Sequence, residues 1–161
     1  MTTTMPATRA RNGTRIALVL LELLIGLNAV WGGVMLMTDS WKLGHAWLDN
    51  TPFDSWFLPG LALLLVIGGS QLAAAATLLA RRPFAREVSI VAGQILIGWI
   101  IVQLAWLRVF HPVMQPAMLA AGFVIASLAW RLPSGTQPGG PAARRPPLRR
   151  RRRRGRRRAS R

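Results

Sequence analysis

The chain has 161 residues, of which 52% are hydrophobic, and its 21 Lys+Arg against 5 Asp+Glu give a formal net charge of +16. The mean hydropathy is +0.32, which is high for a chain with so large a net charge. Apolar and basic residues must therefore occupy separate segments, whereas an ordinary soluble domain intermixes them. The chain contains no cysteine, which excludes disulfides, thiolate metal sites and thiol redox chemistry.

Four apolar segments are each close to the roughly 20 residues that a helix needs to cross a membrane. They cover about residues 16–37, 59–80, 88–109 and 113–131. The first is too long for the apolar part of a signal peptide, so it is interpreted as an uncleaved span. The short connections after the second and third spans predict antiparallel neighbours. Residues 16–132 are therefore expected to form an all-α membrane protein, a four-transmembrane-helix up-down bundle.

Basic residues near the ends of the spans predict how the bundle is oriented, because an excess of Lys and Arg stays in the cytoplasm. One side carries Arg9, Arg11, Arg15, Arg81, Arg82, Arg86 and Arg131. The other side carries only Lys42 and Arg108. Residues 1–15 and both termini are therefore expected in the cytoplasm. The preponderance of Arg over Lys favours a bacterial origin and hence the inner membrane.

Residues 133–161 contain twelve arginines and no acidic residue. Their Pro, Gly and Arg content predicts a disordered cytoplasmic tail, since little apolar surface offsets the chain entropy. We expect the tail to bind anionic lipid headgroups through Arg149, Arg150, Arg151, Arg152, Arg153, Arg154, Arg156, Arg157 and Arg158. Nucleic acid, ribosomes or an acidic protein are alternative partners, although no aromatic residue of the tail can stack on a base.

Glu22 is the one charged residue inside the first span. An ionised carboxylate at membrane depth costs about 2–3 kcal/mol or more, so it is expected to face protein. Small residues on the same helical face allow a neighbouring helix to approach closely: they are Gly26, Ala29 and Gly33. Gln94 lies at the same depth in the third span. Gly98 extends the face of Gln94 and is a further small residue expected to pack against another helix. A contact between Glu22 and Gln94 is therefore predicted.

Gln71, about one turn deeper in the second span, extends this intramembrane polar patch. Two interpretations stay open: a protonated Glu22 serves as a structural hydrogen-bond donor to Gln94, or Glu22 exchanges protons or cations. Gln103 indicates either a polar contact near the outer leaflet or an oligomer face. The chain shows no sequence motif of an enzyme, a cofactor site or a metal site, so we predict a protein that is not an enzyme and uses no cofactor or metal.

Short segments of the chain resemble small four-span bacterial integral membrane proteins that carry no assigned function. They are LDNTPF at 48–53, PGL at 59–61, GWIIVQ at 98–103 and QP at 115–116. The resemblance covers about residues 16–130 and implies a membrane bundle without an assigned activity. A Glu in the first of four spans is also similar to the small multidrug resistance exporters. However, the flanking sequence LELL differs from theirs, and the charge bias fixes one orientation.

The sequence thus predicts a non-catalytic structural or accessory membrane component. Its expected partners are the lipid bilayer, a second copy of the chain or another membrane protein. Two alternatives remain: a small proton-coupled transporter or channel that uses Glu22, and a membrane tether that binds nucleic acid or ribosomes through the arginine tail.

Overall fold

The structure is a computed structural model that describes residues 7–44, 48–49, 51–107 and 112–134. Within those ranges the chain is helical and contains no strand. The helices are α1 (Ala7–Met37), α2 (Phe57–Leu79), α3 (Ala85–Leu107) and α4 (Met114–Trp130). A π-helical turn, Leu63–Gly68, lies inside α2.

Three of these helices are long and apolar enough to cross a membrane, over Arg11–Met37, Phe57–Leu79 and Ala85–Ala105. The fourth, α4, has 17 residues, which gives a length of about 26 Å at 1.5 Å per residue. A typical hydrocarbon core is about 30 Å thick. The predicted all-helical, multi-pass architecture is therefore confirmed, while the crossing by α4 stays a prediction.

The start of α1 differs from the predicted span. The helix begins at Ala7, whereas the apolar segment begins at residue 16. Hydropathy detects only the part of a helix that suits the hydrocarbon, and residues 7–15 contain no proline to stop a helix. The first helix is consequently longer than its apolar segment, at the end that contains Arg9, Arg11 and Arg15.

Backbone hydrogen bonds cap the C-terminal end of α2. Arg81 adopts the left-handed conformation with φ 52, and the N–H of Arg82 donates to the carbonyl of Thr77 at 3.0 Å. This is the Schellman arrangement, which satisfies carbonyls that the end of a helix leaves without partners. Asp39, with φ 50, ends α1 in the same way.

The helices pack as a closed ring in which α1 contacts α2, α2 contacts α3, α3 contacts α4, and α4 returns to α1. Helices α1 and α3 therefore lie diagonally opposite each other across the centre. The buried apolar core includes Leu18, Ile25, Ile67, Leu78, Leu96 and Ile125. A polar group that points inward from either diagonal helix consequently enters the middle of the bundle.

Pairs of glycines bring neighbouring helices into backbone contact. A Cβ on Gly33 of α1 would lie 2.7 Å from the carbonyl oxygen of Gly60 in α2. A Cβ on Gly93 of α3 would lie 2.8 Å from the carbonyl oxygen of Gly122 in α4. Both distances are too short for a real carbon atom, so any side chain at these two crossings forces the helices apart.

Some of the small residues that were predicted to pack against a neighbouring helix do so, and one faces open space. Gly26 lies against the side chain of Leu72, at 2.9 Å from a built Cβ, and Ala29 is buried. A Cβ on Gly98 would meet nothing within 4 Å, so the prediction that Gly98 packs against another helix is corrected. Gly93 takes that role. Five residues turn a helix by about 140° beyond one full turn, which separates the faces of the two glycines.

The exposed surface of α1 from Ile16 to Trp31 is mostly apolar. Its exposed large side chains recur at intervals of three or four residues, as on one helical face: they are Ile16, Leu20, Leu24, Leu27 and Trp31. An apolar stripe this long suits lipid or the helix of another membrane protein rather than water.

Candidate functional site: a polar cluster at the centre of the bundle

Glu22 is completely buried, with 0% of its surface exposed. It belongs to the inward stripe of α1, four residues after Leu18 and three before Ile25, so its side chain enters the centre of the ring. Neither carboxyl oxygen makes a hydrogen bond of standard geometry to any residue that the structure describes. The intramembrane acid is therefore enclosed by protein, as its depth requires.

Ser89 is the side chain that α3 presents to Glu22. It is also 0% exposed, and it lies beside the carboxyl group of Glu22. Its Oγ makes no hydrogen bond of standard geometry within the described ranges. The two groups are chemically matched in either state of the acid. An ionised Glu22 can accept from the Ser89 hydroxyl, and a protonated Glu22 can donate to it.

Sequence reasoning missed Ser89, although the spacing of α3 contains the signal. The buried face of α3 has small or apolar residues at intervals of four, three, four and four, the repeat that also marks the inward stripe of α1. These residues are Ala85, Ser89, Ala92, Leu96 and Ile100. Aligning that repeat with the stripe of α1 places Ser89 inside the bundle.

Gln71 joins α2 to α3 one turn further along the bundle. Its side chain is 0% exposed, and its Nε2 donates to the carbonyl of Ala92 at 3.1 Å. Its Cβ lies 3.3 Å from a Cβ built on Gly26 of α1. The Oε1 atom of Gln71 has no hydrogen-bond partner among the described residues. Gln71 therefore occupies the predicted polar patch and contacts both diagonal helices.

The predicted contact between Glu22 and Gln94 is not formed. Gln94 is exposed on α3, and neither oxygen of Glu22 makes a hydrogen bond of standard geometry to it. The prediction matched the two residues by depth alone. Gln94 follows Ala92 by two residues, a rotation of about 200°, so it points away from the face that enters the core. The central polar cluster consists of Glu22, Gln71 and Ser89.

A separate apolar cavity lies at the end of the bundle where α1 ends and α2 begins. Its volume is about 200 Å³, and Trp99 and Gln103 of α3 contribute to its wall. The Nε1 atom of Trp99 and the Oε1 atom of Gln103 are buried without a partner among described residues. The two interpretations of Gln103, a polar contact near the outer leaflet or an oligomer face, both stay predictions. None of the three cluster residues lines this cavity.

Some predicted site residues lie outside the residues that the structure describes. These are the arginines of the tail, Arg149, Arg150, Arg151, Arg152, Arg153, Arg154, Arg156, Arg157 and Arg158. The same applies to Arg9, whose side chain is not described, and to Arg108.

No protein-family model, curated protein or solved structure matches this chain. The resemblance to small four-span bacterial membrane proteins therefore stays a prediction.

Proposed function

We propose that this protein is a non-catalytic structural or accessory component of a membrane, which acts by packing against lipid and other membrane proteins. The observation that carries the proposal is the enclosure of Glu22. Its exposed fraction is 0%, and neither the cavity beside Trp99 nor a second one at the opposite end of the bundle is lined by it. A carboxyl group that drives transport must have access to water from each side of the membrane in turn. A carboxyl group with a structural role needs no such access and is more stable when protein encloses it.

We further propose a bacterial inner-membrane location with four spans and both termini in the cytoplasm. The packing of α4 along α3 through Gly93 and Gly122 supports its insertion beside that helix. Because the chain has no cysteine, single cysteines can report sidedness. Ser55→Cys, in the loop before α2, and Ser134→Cys, after α4, are treated with a maleimide that does not cross membranes.

Three crossings between these positions put them on opposite sides. We expect Ser55→Cys to react in spheroplasts and Ser134→Cys to react only after the membrane is opened. Reaction of both cysteines in spheroplasts would show that α4 does not cross the membrane.

A proton-coupled transporter or channel is the second candidate. It is favoured by the two carboxyl oxygens of Glu22 that lack a standard hydrogen bond, since a carboxyl group held only by a neighbouring hydroxyl can bind a proton or a cation. The full chain in proteoliposomes is placed under a pH gradient with Na⁺, K⁺ and ethidium as probe cations. Glu22→Gln removes the titratable group, and it is compared with Gln94→Leu, a substitution at the exposed intramembrane position that leaves Glu22 in place.

If the role is accessory, the wild type and both variants dissipate the gradient no faster than protein-free liposomes. Cation-dependent dissipation by the wild type and by Gln94→Leu, abolished in Glu22→Gln, would replace the accessory proposal with the transporter.

A further inference from the structure

Arginines from three helix ends surround a second cavity, of about 160 Å³, where α1 begins and α2 ends. They are Arg11, Arg15, Arg81, Arg82 and Arg86. We name this cavity the arginine pocket. Among the residues that the structure describes, no acidic one lines it, and its other walls include Leu78, Leu132 and Pro133. The pocket therefore concentrates five positive charges around one space.

Two of the five arginines are held in place by the bundle. A terminal nitrogen of Arg15 donates to the carbonyl of Leu78 at the end of α2. The guanidinium carbon of Arg86 lies 5.0 Å from the centroid of the Trp130 ring, a distance typical of a cation–π contact. These contacts order the two side chains at the wall of the arginine pocket before any ligand arrives.

The arginine pocket lacks a matching acceptor within the described chain. The Nε atom of Arg86 is buried and has no hydrogen-bond partner there, an unfavourable state for a charged donor. Arg11, Arg81 and Arg82 are exposed, and none forms an ion pair with a described acidic residue. An anion with several oxygens would satisfy these donors together.

We propose that the arginine pocket binds a phosphate group, the chemistry shared by the headgroup of an anionic phospholipid and by free phosphate. The planar fork of a guanidinium matches two phosphate oxygens at once, which makes arginine the preferred residue for this anion. The pocket also lies at the end of the apolar helices, at the depth of lipid headgroups, and basic pockets between helices at that level bind such groups. Glu22 does not line this site.

The test uses the full chain, stripped of lipid in a nonionic detergent, and native mass spectrometry to count bound phosphatidic acid. Arg11→Gln/Arg82→Gln removes two exposed charges from the arginine pocket. Lys42→Gln/Arg131→Gln removes the same charge from two described residues that do not line the pocket. Circular dichroism checks that both variants keep the wild-type helix content.

The affinity of the first bound phosphatidic acid should fall about 25-fold in the pocket variant, at about fivefold for each arginine. In the charge-matched control we expect a change below about twofold, because diffuse charge near the bilayer contributes without a defined site. Equal weakening in both variants, or equal binding of phosphatidylcholine, would overturn the proposal.

Inorganic phosphate as a competitor distinguishes the two sources of the anion. Displacement only at a large excess over phosphatidic acid identifies the lipid as the occupant. Displacement at equal concentration identifies a soluble phosphate. Failure of phosphate to displace the lipid from the wild type at any concentration, together with unchanged lipid binding by the pocket variant, would show that the lipid binds elsewhere.

Discussion

The glycine crossings and the central polar cluster hold the bundle together in different ways. At Gly33 with Gly60, and at Gly93 with Gly122, backbone meets backbone and no side chain fits between the helices. At the centre, Gln71 and Ser89 join helices through side chains, and several polar atoms have no standard hydrogen bond. Close backbone contact at glycines therefore holds α1 against α2 and α3 against α4. The polar side chains lie between these two helix pairs.

The largest effect should come from filling a glycine crossing. Gly93→Leu is expected to lower the free energy of unfolding by about 3 kcal/mol, because the new side chain would force α3 away from α4. Gly98→Leu, on the same helix but facing open space, should change the stability by less than about 0.5 kcal/mol. Unfolding in mixed micelles with increasing SDS measures both.

Comparable losses in the two leucine variants would mean that the α3–α4 crossing does not depend on Gly93. The difference between the variants therefore tests the crossing, free of any general effect of a larger side chain on α3.

A smaller effect should come from the cluster. Gln71→Leu removes the hydrogen bond to Ala92 and is expected to cost about 1 kcal/mol, the size of one hydrogen bond between membrane helices. Gln94→Leu, the matched change at the exposed position, should be close to neutral in the same unfolding assay. If Gln94→Leu lowers the free energy of unfolding as much as Gln71→Leu does, Gln94 is buried in the core, which would contradict the packing of α3 described above.

The smallest effect concerns the end of α1, away from both regions. Asp39→Gly should raise the free energy of unfolding by about 0.5 kcal/mol, because glycine adopts the left-handed conformation without a steric cost. Asp39→Ala removes the same charge but keeps a Cβ, so it should not be stabilising. A gain for Asp39→Ala as large as that for Asp39→Gly would assign the effect to charge instead of backbone conformation.

The sequence predicted the helices well because apolar length and helical period are local properties. The inward face of α1 follows from the spacing of Glu22, Gly26 and Gly33 alone. Contacts between helices also depend on how each helix is rotated about its own axis, which the depth of a residue along the span does not reveal. Depth alone predicts a contact between Glu22 and Gln94, whereas the rotation of α3 places Ser89 at the centre.

Other parts of the site could not be predicted because they depend on distant segments. The arginine pocket joins Arg11 to Arg82 and Leu132, and only the closed ring brings these residues to one cavity. Counting charges predicts that Arg11 and Arg82 lie on the same side of the membrane. It does not predict that their side chains line the same cavity.

The proposed role depends on the position of Glu22 at the centre of the bundle, facing α3 through Ser89. The chain contains no cysteine, so paired substitutions can test this facing directly by oxidative cross-linking in membranes with copper phenanthroline. The packing predicts that Glu22→Cys/Ser89→Cys forms an intramolecular disulfide, whereas Glu22→Cys/Gln94→Cys does not. Cross-linking of the second pair but not the first would show that α3 presents its other face to Glu22 and would contradict the enclosed cluster.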